Sequence, residues 1–307
     1  MEIFLSIFGL LVGLVLLIKG ADEMVKSAIQ IALKFKLPNS VIGAVFIGFG
    51  TSAPELFASV GASIKGDLDL AIGNIVGSNI ANSLLVVSTI YFFLPKSFSK
   101  KIKLNQVSPI WMAILTTIFV STYYLNESFP FLLGLTLIFL ILFVIYKMVG
   151  LDSVDEEEFV EENKKYLFFR SSFSLMGTIL GSQLVVNNAV EIATTFGVSS
   201  LIVGSTIVAV GTSLPEVASS ISASKREKID LVFGNIFGSN LFNIGLVGGA
   251  SIVASPGNLK YDIGYQLLLM YVVSFLVIFL SKTNIKKTYW IGFLLLMFYI
   301  IFLVSLF

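Results

Sequence analysis

The sequence predicts an all-α integral membrane protein of ten transmembrane helices, arranged as two inverted five-helix repeats. The first observation is composition: of 307 residues, 56% are hydrophobic and 13% charged, with a mean hydropathy of +0.94. A soluble domain would carry about 25% charged residues. The second is the recurrence of apolar stretches long enough to cross about 30 Å of hydrocarbon. The third is an internal repeat.

Apolar runs separated by polar breaks predict the ten spans. They cover residues 3–33, 41–64, 70–94, 107–125, 130–149, 167–195, 201–224, 231–254, 263–281 and 288–306. The first and sixth are expected to be long and tilted. No basic segment precedes the first run, so we interpret it as a retained span and not as a signal peptide.

The repeat appears when the sequence is shifted by 161 residues, which aligns the two halves without a gap. Between Gly43 and Val86, 20 of 44 positions are identical to those from Gly204 to Val247. Each half holds five spans, an odd number, so the second copy enters the membrane in the opposite sense, as in many secondary transporters. The predicted units are residues 1–149 (ion-binding motifs in 43–86), a loop at 150–166, and residues 167–307 (ion-binding motifs in 204–247).

Basic residues predict the orientation. With the N-terminus outside, 18 of the 20 Lys and Arg residues fall on the cytoplasmic side, and only Lys65 and Lys260 lie outside. The chain is therefore expected in the cell membrane with the acidic loop 150–166 in the cytoplasm. That loop lacks the ligand spacing of an EF-hand, which favours a solvated linker.

The absence of Cys and His restricts the chemistry. It excludes disulfides, thiolate metal sites and imidazole bases, and no Lys lies beside the motif serines to activate a nucleophile. An enzyme and a bound cofactor are therefore not expected. The basic residues sit in short loops, so nucleic acid is not an expected partner, and no obligate protein partner is predicted. A channel remains an alternative to a transporter.

Two acidic residues, Glu55 and Glu216, occupy equivalent positions near the middle of the second and seventh spans. A carboxylate at that depth costs about 2.5–3.5 kcal/mol on insertion scales. No Lys or Arg lies in the same stretch, so each group is either protonated or balanced by a cation. Two such groups at repeat-equivalent positions favour a buried cation site.

The neighbouring residues supply neutral oxygen atoms. On a regular helix, Gly48, Thr51, Ser52 and Glu55 would share one face. Pro54 lacks an N–H for the Gly50 carbonyl and should distort that turn, as Pro215 should beside Gly211. Two polar stripes with a spacing of four follow on the third and eighth spans: Asn74, Ser78 and Asn82, and Asn235, Ser239 and Asn243. Such oxygens could complete a Ca²⁺ or Na⁺ shell; Asn74 and Asn235 are the members most readily explained by helix packing.

Four other acidic residues fall outside these motifs. Asp69 and Asp230 stand just ahead of the third and eighth spans and are expected to cap those helices. Asp22 and Glu23 lie in the first span, where the sequence leaves their role open.

The duplicated Gly-Thr-Ser-x-Pro-Glu and Gly-Asn-x-x-Gly-Ser-Asn-x-x-Asn segments resemble the two α-repeats of the sodium/calcium exchangers, within the cation/calcium exchanger superfamily. The first segments are Gly50–Glu55 and Gly211–Glu216, and the second are Gly73–Asn82 and Gly234–Asn243. The resemblance covers the whole chain. It implies antiport of Na⁺ and Ca²⁺ by alternating access, with the first and sixth spans sliding.

The resemblance also implies individual roles. Glu55 and Glu216 would be the principal ligands, with oxygens of Thr51 and Thr212 beside them. Flanking Na⁺ positions would use Ser52, Ser213, Ser78 and Ser239, and the carbonyls of Gly48 and Ala209 would help. Asn82 and Asn243 would face each other.

One residue departs from the family pattern, because exchangers often carry an aspartate where this chain has Asn243. The change leaves the Na⁺ stoichiometry and any K⁺ dependence open. It keeps the divalent site, since two carboxylates neutralise one Ca²⁺. Antiport driven by H⁺, or of another divalent ion such as Mg²⁺, remains the alternative. The proton/calcium branch typically has a Glu where this chain has Gly77 and Gly238, which disfavours it.

Overall fold

A computed structural model describes residues 2–101, 106–126, 128–149, 164–197, 209–286 and 288–306. Most of the predicted acidic loop, residues 150–163, and the first part of the predicted seventh span, residues 201–208, lie outside the described residues. Helices dominate the remainder. Where the ends of a predicted span are described, helix begins and ends within a few residues of the expected bounds.

The α-helices are numbered in chain order. They are α1 (Glu2–Phe35), α2 (Asn39–Ile42), α3 (Phe49–Thr51), α4 (Ala53–Ile64), α5 (Leu68–Ala81), α6 (Val87–Phe93), α7 (Val107–Asn126), α8 (Phe131–Val149), α9 (Lys164–Thr195), α10 (Ala209–Thr212), α11 (Leu214–Lys225), α12 (Ile229–Phe242), α13 (Gly249–Ala254), α14 (Gly264–Lys282) and α15 (Tyr289–Val304). Among the described residues, three π-helical segments join some of them: Gly43–Gly48, Asn82–Val86 and Asn243–Gly248.

The apolar helices identify a membrane fold. Among the described residues, six helices are long and apolar enough to cross a membrane, and a bent pair, Asn39–Thr51 with Ala53–Ile64, would be a seventh. Large side chains such as Phe4, Phe57 and Trp290 are more than 70% exposed. Apolar side chains in such positions are stable when lipid, not water, covers them.

The helix that carries Glu55 is broken, as the proline beside it predicts. The axis turns by 47° between α3 and α4. Ser52, at the break, has ψ near 2°, and Pro54 lies in the first turn of α4. The expected regular face from Gly48 to Glu55 is therefore interrupted. Ser213 has the same conformation between α10 and α11, again just ahead of a proline.

The π-helical segments were not predicted. Asn82 begins one and Asn243 begins another, each inside a 26-residue rod: Leu68–Phe93 and Ile229–Ala254. A π-helical turn contains an extra residue and is common at functional sites. The helical spacing of four therefore ends at these two asparagines.

Glycines bring α12 against the chain from Ser40 to Gly48. A methyl group on Gly48 would lie 2.8 Å from the backbone nitrogen of Ser239. Methyl groups on Gly234 and Gly238 would meet the backbones of Ser40 and Ala44. Small residues at a membrane helix interface allow such close approach. The contact joins the two halves of the sequence next to Glu216 and Glu55.

The longest helices, α1 and α9, also pack through small residues. Gly13 and Gly181 face each other, and Gly20 lies against Thr178. The expected lengths of these helices are confirmed at 34 and 32 residues.

Two short antiparallel ribbons tie connections that are distant in sequence. One pairs β1 (Ser99–Lys101) with β4 (Asn284–Lys286) and the other pairs β2 (Ser128–Phe129) with β3 (Gly257–Asn258). Next to the second ribbon, Asp69 accepts the backbone N–H groups of Lys260 and Tyr261 at 2.8 and 3.0 Å.

The expected capping roles of Asp69 and Asp230 are wrong. The residue that caps α5 is Asp67, which accepts the N–H of Leu70 at 3.1 Å. The N-terminal cap position of α12 is occupied by Lys228, and Asp230 lies in the first turn. The predicted spans begin at residues 70 and 231, two residues after the helices do, so the expected caps fall two residues too late.

Candidate cation site

The carboxyl groups of Glu55 and Glu216 lie in the protein interior. Each residue is 1% exposed, and the two groups are close enough to interact electrostatically. Oε2 of Glu55 and both carboxylate oxygens of Glu216 lack a hydrogen-bond donor. Within the described residues, neither group is paired with a Lys or Arg. Buried carboxylates normally have such partners, so these oxygens are available to a cation.

Hydroxyl groups from both halves surround Glu216. Its carboxylate lies beside the hydroxyls of Thr51 and Ser239. Thr51 donates to the Ile47 carbonyl at 3.0 Å, and Ser239 donates to the Gly48 carbonyl at 3.3 Å. A hydroxyl has one hydrogen and two lone pairs, so an oxygen whose hydrogen engages a backbone carbonyl can still present a lone pair to a positive ion.

The two serines at the helix breaks resemble each other closely. Ser52 is 2% exposed and Ser213 is fully buried, and neither hydroxyl has a hydrogen-bond partner. Each stands immediately before the helix turn that holds a glutamate. The N-terminus of a helix carries a partial positive charge, which stabilises a carboxylate in that turn. The breaks therefore place a buried, unpaired hydroxyl three residues before each glutamate in the chain.

The asparagines that begin the π-helical segments also present unpaired oxygens. Oδ1 of Asn82 and Oδ1 of Asn243 are buried without a donor. Their Nδ2 atoms donate to Oδ1 of Asn240 and of Asn79, respectively, both at 3.2 Å. Sequence reasoning missed Asn79 and Asn240, which lie off the predicted polar stripes. Their recurrence in both Gly-Ser-Asn segments was the signal that could have found them.

The remaining members of the polar stripes differ in their contacts. Asn74 donates to the Ser59 hydroxyl at 2.8 Å, and Asn235 donates to the Ser219 and Ser220 hydroxyls at 3.2 and 3.4 Å. These bonds join α5 to α4 and α12 to α11. They fit the packing role expected for both asparagines.

Ser78 and Thr212 line a cavity of about 230 Å³ that also touches Ile263 and Gln266 at the start of α14. The cavity therefore extends from these two residues to the beginning of α14. Of the predicted backbone ligands, Gly48 has its carbonyl beside Ser239, whereas Ala209 begins α10 and only its backbone is described.

Asp22 and Glu23 belong to an ion-pair cluster. Asp22 accepts from Arg226 at 2.7 Å and from Ser222 at 2.8 Å, and Glu23 accepts from Arg170 at 2.6 Å. Lys26 contacts both carboxylates. The cluster joins α1 to α9 and to the end of α11, and its acidic groups are already paired with basic ones.

The predicted site therefore combines two carboxylates with neutral oxygens. In the described part of the chain, no three His, Cys, Asp or Glu side chains come together as a metal site. Carboxylate, hydroxyl and amide oxygens are the ligands of hard cations such as Ca²⁺ and Na⁺. One divalent ion or two monovalent ions would neutralise the two carboxylates.

Known proteins share this fold. A solved structure of the sodium-calcium exchanger NCX_Mj, soaked with 10 mM Na⁺ and 10 mM Sr²⁺, matches with a TM-score of 0.86, 29% identity and coverage of 99% of both chains. The sodium/calcium exchanger MaX1 of Methanosarcina acetivorans is 29% identical over 97% of both chains. The inner membrane protein YrbG of Escherichia coli is 31% identical over 87% of this chain and 86% of its own.

The family profile described as sodium/calcium exchanger protein matches residues 5–149 and 167–307. These two stretches leave out only residues 1–4 and 150–166, the latter being the predicted acidic loop. The chain is a multi-pass membrane protein that belongs to the sodium/calcium exchanger family.

Proposed function

We propose that this protein is a secondary-active antiporter that exchanges Na⁺ for Ca²⁺ by alternating access, with the ions held between Glu55 and Glu216. The observation that carries the proposal is the pair of buried carboxyl groups with three oxygens that lack a donor. The names of MaX1 and NCX_Mj support the choice of ions.

The charge of the site explains how the two fluxes are coupled. With both glutamates ionised and no ion present, two negative charges face each other in a medium of low dielectric, and closing the site around them is costly. One Ca²⁺ or at least two Na⁺ remove that cost. Only loaded forms then cross the closed state, so the movement of one ion requires the return of the other.

The proposed ligand set has two charged members and several neutral ones. Glu55 and Glu216 are the charged ligands, and the hydroxyl oxygens of Thr51, Ser52, Ser213 and Ser239 are neutral ligands. Asn82 and Asn243 add amide oxygens, with Ser78, Thr212 and the Gly48 and Ala209 carbonyls at the edge. The unpaired hydroxyls of Ser52 and Ser213 and the unpaired amide oxygens support these assignments.

The proposed architecture is ten transmembrane helices in two inverted repeats, 1–149 and 167–307, with the N-terminus outside and residues 150–166 in the cytoplasm. The matching breaks at Ser52 and Ser213 support the repeat. In this orientation the cavity beside Ile263 and Gln266 leads from the outer face to Ser78 and Thr212. Helices α1 and α9, which meet through glycines, are the pair that slides.

The test is uptake of radiolabelled Ca²⁺ into proteoliposomes that contain the purified protein. Vesicles are loaded with Na⁺, K⁺ or acid in turn, and the outer medium lacks the ion that was loaded inside. Uptake that requires internal Na⁺ alone is the expected result. Uptake driven by acid would replace the proposal with H⁺ antiport, and uptake without any counter-ion would indicate a channel. A requirement for K⁺ together with Na⁺ would change the stoichiometry only.

A further inference from the structure

Four buried asparagines form two crossed pairs at the centre of the protein. Asn82 of the first half donates to Oδ1 of Asn240 in the second, and Asn243 of the second half donates to Oδ1 of Asn79 in the first. Each of the four side chains is at most 1% exposed. Both pairs therefore link the halves where the π-helical segments begin.

The acceptor asparagines are themselves held in one orientation. Nδ2 of Asn79 contacts Sδ of Met270 at 3.6 Å, and Nδ2 of Asn240 lies 3.3 Å from the Ser83 hydroxyl and 3.7 Å from Sδ of Met112. Because the NH₂ groups face these partners, the carbonyl oxygens of Asn79 and Asn240 face Asn243 and Asn82.

This arrangement decides which end of the Asn82 and Asn243 amides is left without a hydrogen-bond partner. An amide has donors at one end and acceptors at the other, and its two orientations have nearly the same shape. The NH₂ groups of Asn82 and Asn243 are engaged, so their oxygens are left buried and without a donor. In the opposite orientation the NH₂ group would face the site and repel a cation.

We propose that Asn79 and Asn240 are positioning residues, which act by fixing the amides of Asn243 and Asn82 with their oxygens toward the transported ion. The inference rests on the proposed function. Position 79 should matter in this chain because residue 243 is an asparagine, whose amide has two distinct ends. A carboxylate at position 243 would have two equivalent oxygens and no donor, and would not need an acceptor to orient it.

The experiment is a double-mutant cycle between positions 79 and 243, measured as Na⁺-driven Ca²⁺ uptake in proteoliposomes. Asn79→Ala should raise the KM for Ca²⁺ about tenfold. The same substitution in an Asn243→Asp background should change the KM for Ca²⁺ less than about twofold. An aspartate has no NH₂ group that could turn toward the ion, so Asn79 has no orientation to fix there. Equal effects in the two backgrounds, or none in either, would overturn the proposal.

Two further variants separate positioning from packing. Asn79→Leu has the same branched arrangement of heavy atoms without an acceptor and should raise the KM for Ca²⁺ as Asn79→Ala does. Asn79→Asp retains an acceptor oxygen and should keep the KM within about threefold of wild type. If Asn79→Leu behaves like wild type, the acceptor has no role and the proposal fails.

A binding measurement distinguishes this failure from failure of the proposed function. The thermal unfolding midpoint of the purified protein in detergent is recorded with and without Ca²⁺, since an ion that binds the folded state raises it. A Ca²⁺-dependent rise in wild type that is smaller in Asn79→Leu supports positioning even if transport is driven by another ion. A rise of the same size in both proteins counts against it.

Discussion

The hydroxyl of Ser239 donates a hydrogen bond to the carbonyl oxygen of Gly48 across 3.3 Å. The two residues belong to different halves of the chain and were both predicted to surround the ions. Their contact is possible because Gly48 has no side chain: a methyl group there would lie 2.8 Å from the Ser239 backbone nitrogen. One hydrogen bond thus sets the spacing of two proposed ligands.

Replacement of this hydroxyl should weaken ion binding. We expect Ser239→Ala to lower the apparent affinity for Na⁺ on the order of tenfold, because it removes an oxygen beside the Glu216 carboxylate. The measurement is the Na⁺ concentration that gives half-maximal Ca²⁺ uptake. Ser274→Ala is the matched control, since that buried hydroxyl donates to the Met270 carbonyl of its own helix, at 2.7 Å. Equal affinities in the two variants would remove Ser239 from the ligand set.

Neutralising either glutamate should abolish Ca²⁺ transport while the protein still folds. Glu55→Gln and Glu216→Gln keep the shape of the side chain and remove one of two buried charges. An amide is cheaper to bury than an unpaired carboxylate, so without Ca²⁺ and Na⁺ each variant should be at least as stable as wild type.

Uptake assays and thermal unfolding in detergent test both parts of this prediction. Glu191→Gln provides a control, because Glu191 is an exposed residue of α9. Normal uptake by either site variant would refute the central role of the carboxylates. A loss of stability in ion-free buffer would mean that the glutamates make structural contacts instead.

The broken helices were predictable from sequence because their cause is local. Pro54 and Pro215 cannot donate a backbone hydrogen bond, so the turns ahead of them lose one, and Ser52 and Ser213 depart from helical geometry there. Burial of Glu55 was predictable for the same reason: the apolar residues on both sides place it within the membrane.

The contacts that cross the chain were not predictable in this way. Asp69 reaches backbone groups 191 and 192 residues away, and Asp22 reaches Arg226 across 204 residues. The sequence pattern did not select Asn79, because a polar stripe with a spacing of four contains Asn74, Ser78 and Asn82 instead. The π-helical segment that begins at Asn82 ends that spacing. The hydrogen-bond partners of residues near the site are therefore set by tertiary packing, which a helical pattern in the sequence does not reveal.

Close packing at α12 should make one glycine sensitive to substitution. A methyl group on Gly238 would lie 2.5 Å from the Ala44 carbonyl oxygen and would also meet the Ala44 backbone carbon. Backbone atoms cannot rotate away, so Gly238→Ala should lower the free energy of unfolding by about 1–3 kcal/mol. Gly61→Ala, with open space around its added methyl, should be neutral or slightly stabilising because alanine favours helix. Thermal unfolding of the two variants in detergent decides the point, and equal midpoints would contradict it.

The ion pair between Glu23 and Arg170 should contribute little to stability despite its short 2.6 Å distance. The two side chains are 40% and 26% exposed, and water screens charges in such positions. Lys26 also contacts Glu23 at 2.6 Å, so removing Arg170 leaves the carboxylate with a cationic partner. A double-mutant cycle of Glu23→Gln and Arg170→Gln should therefore give a coupling free energy below about 1 kcal/mol, measured from unfolding midpoints at low salt. Addition of salt should reduce it further. A coupling of several kcal/mol that resists salt would show that the pair is shielded from water and holds α1 against α9.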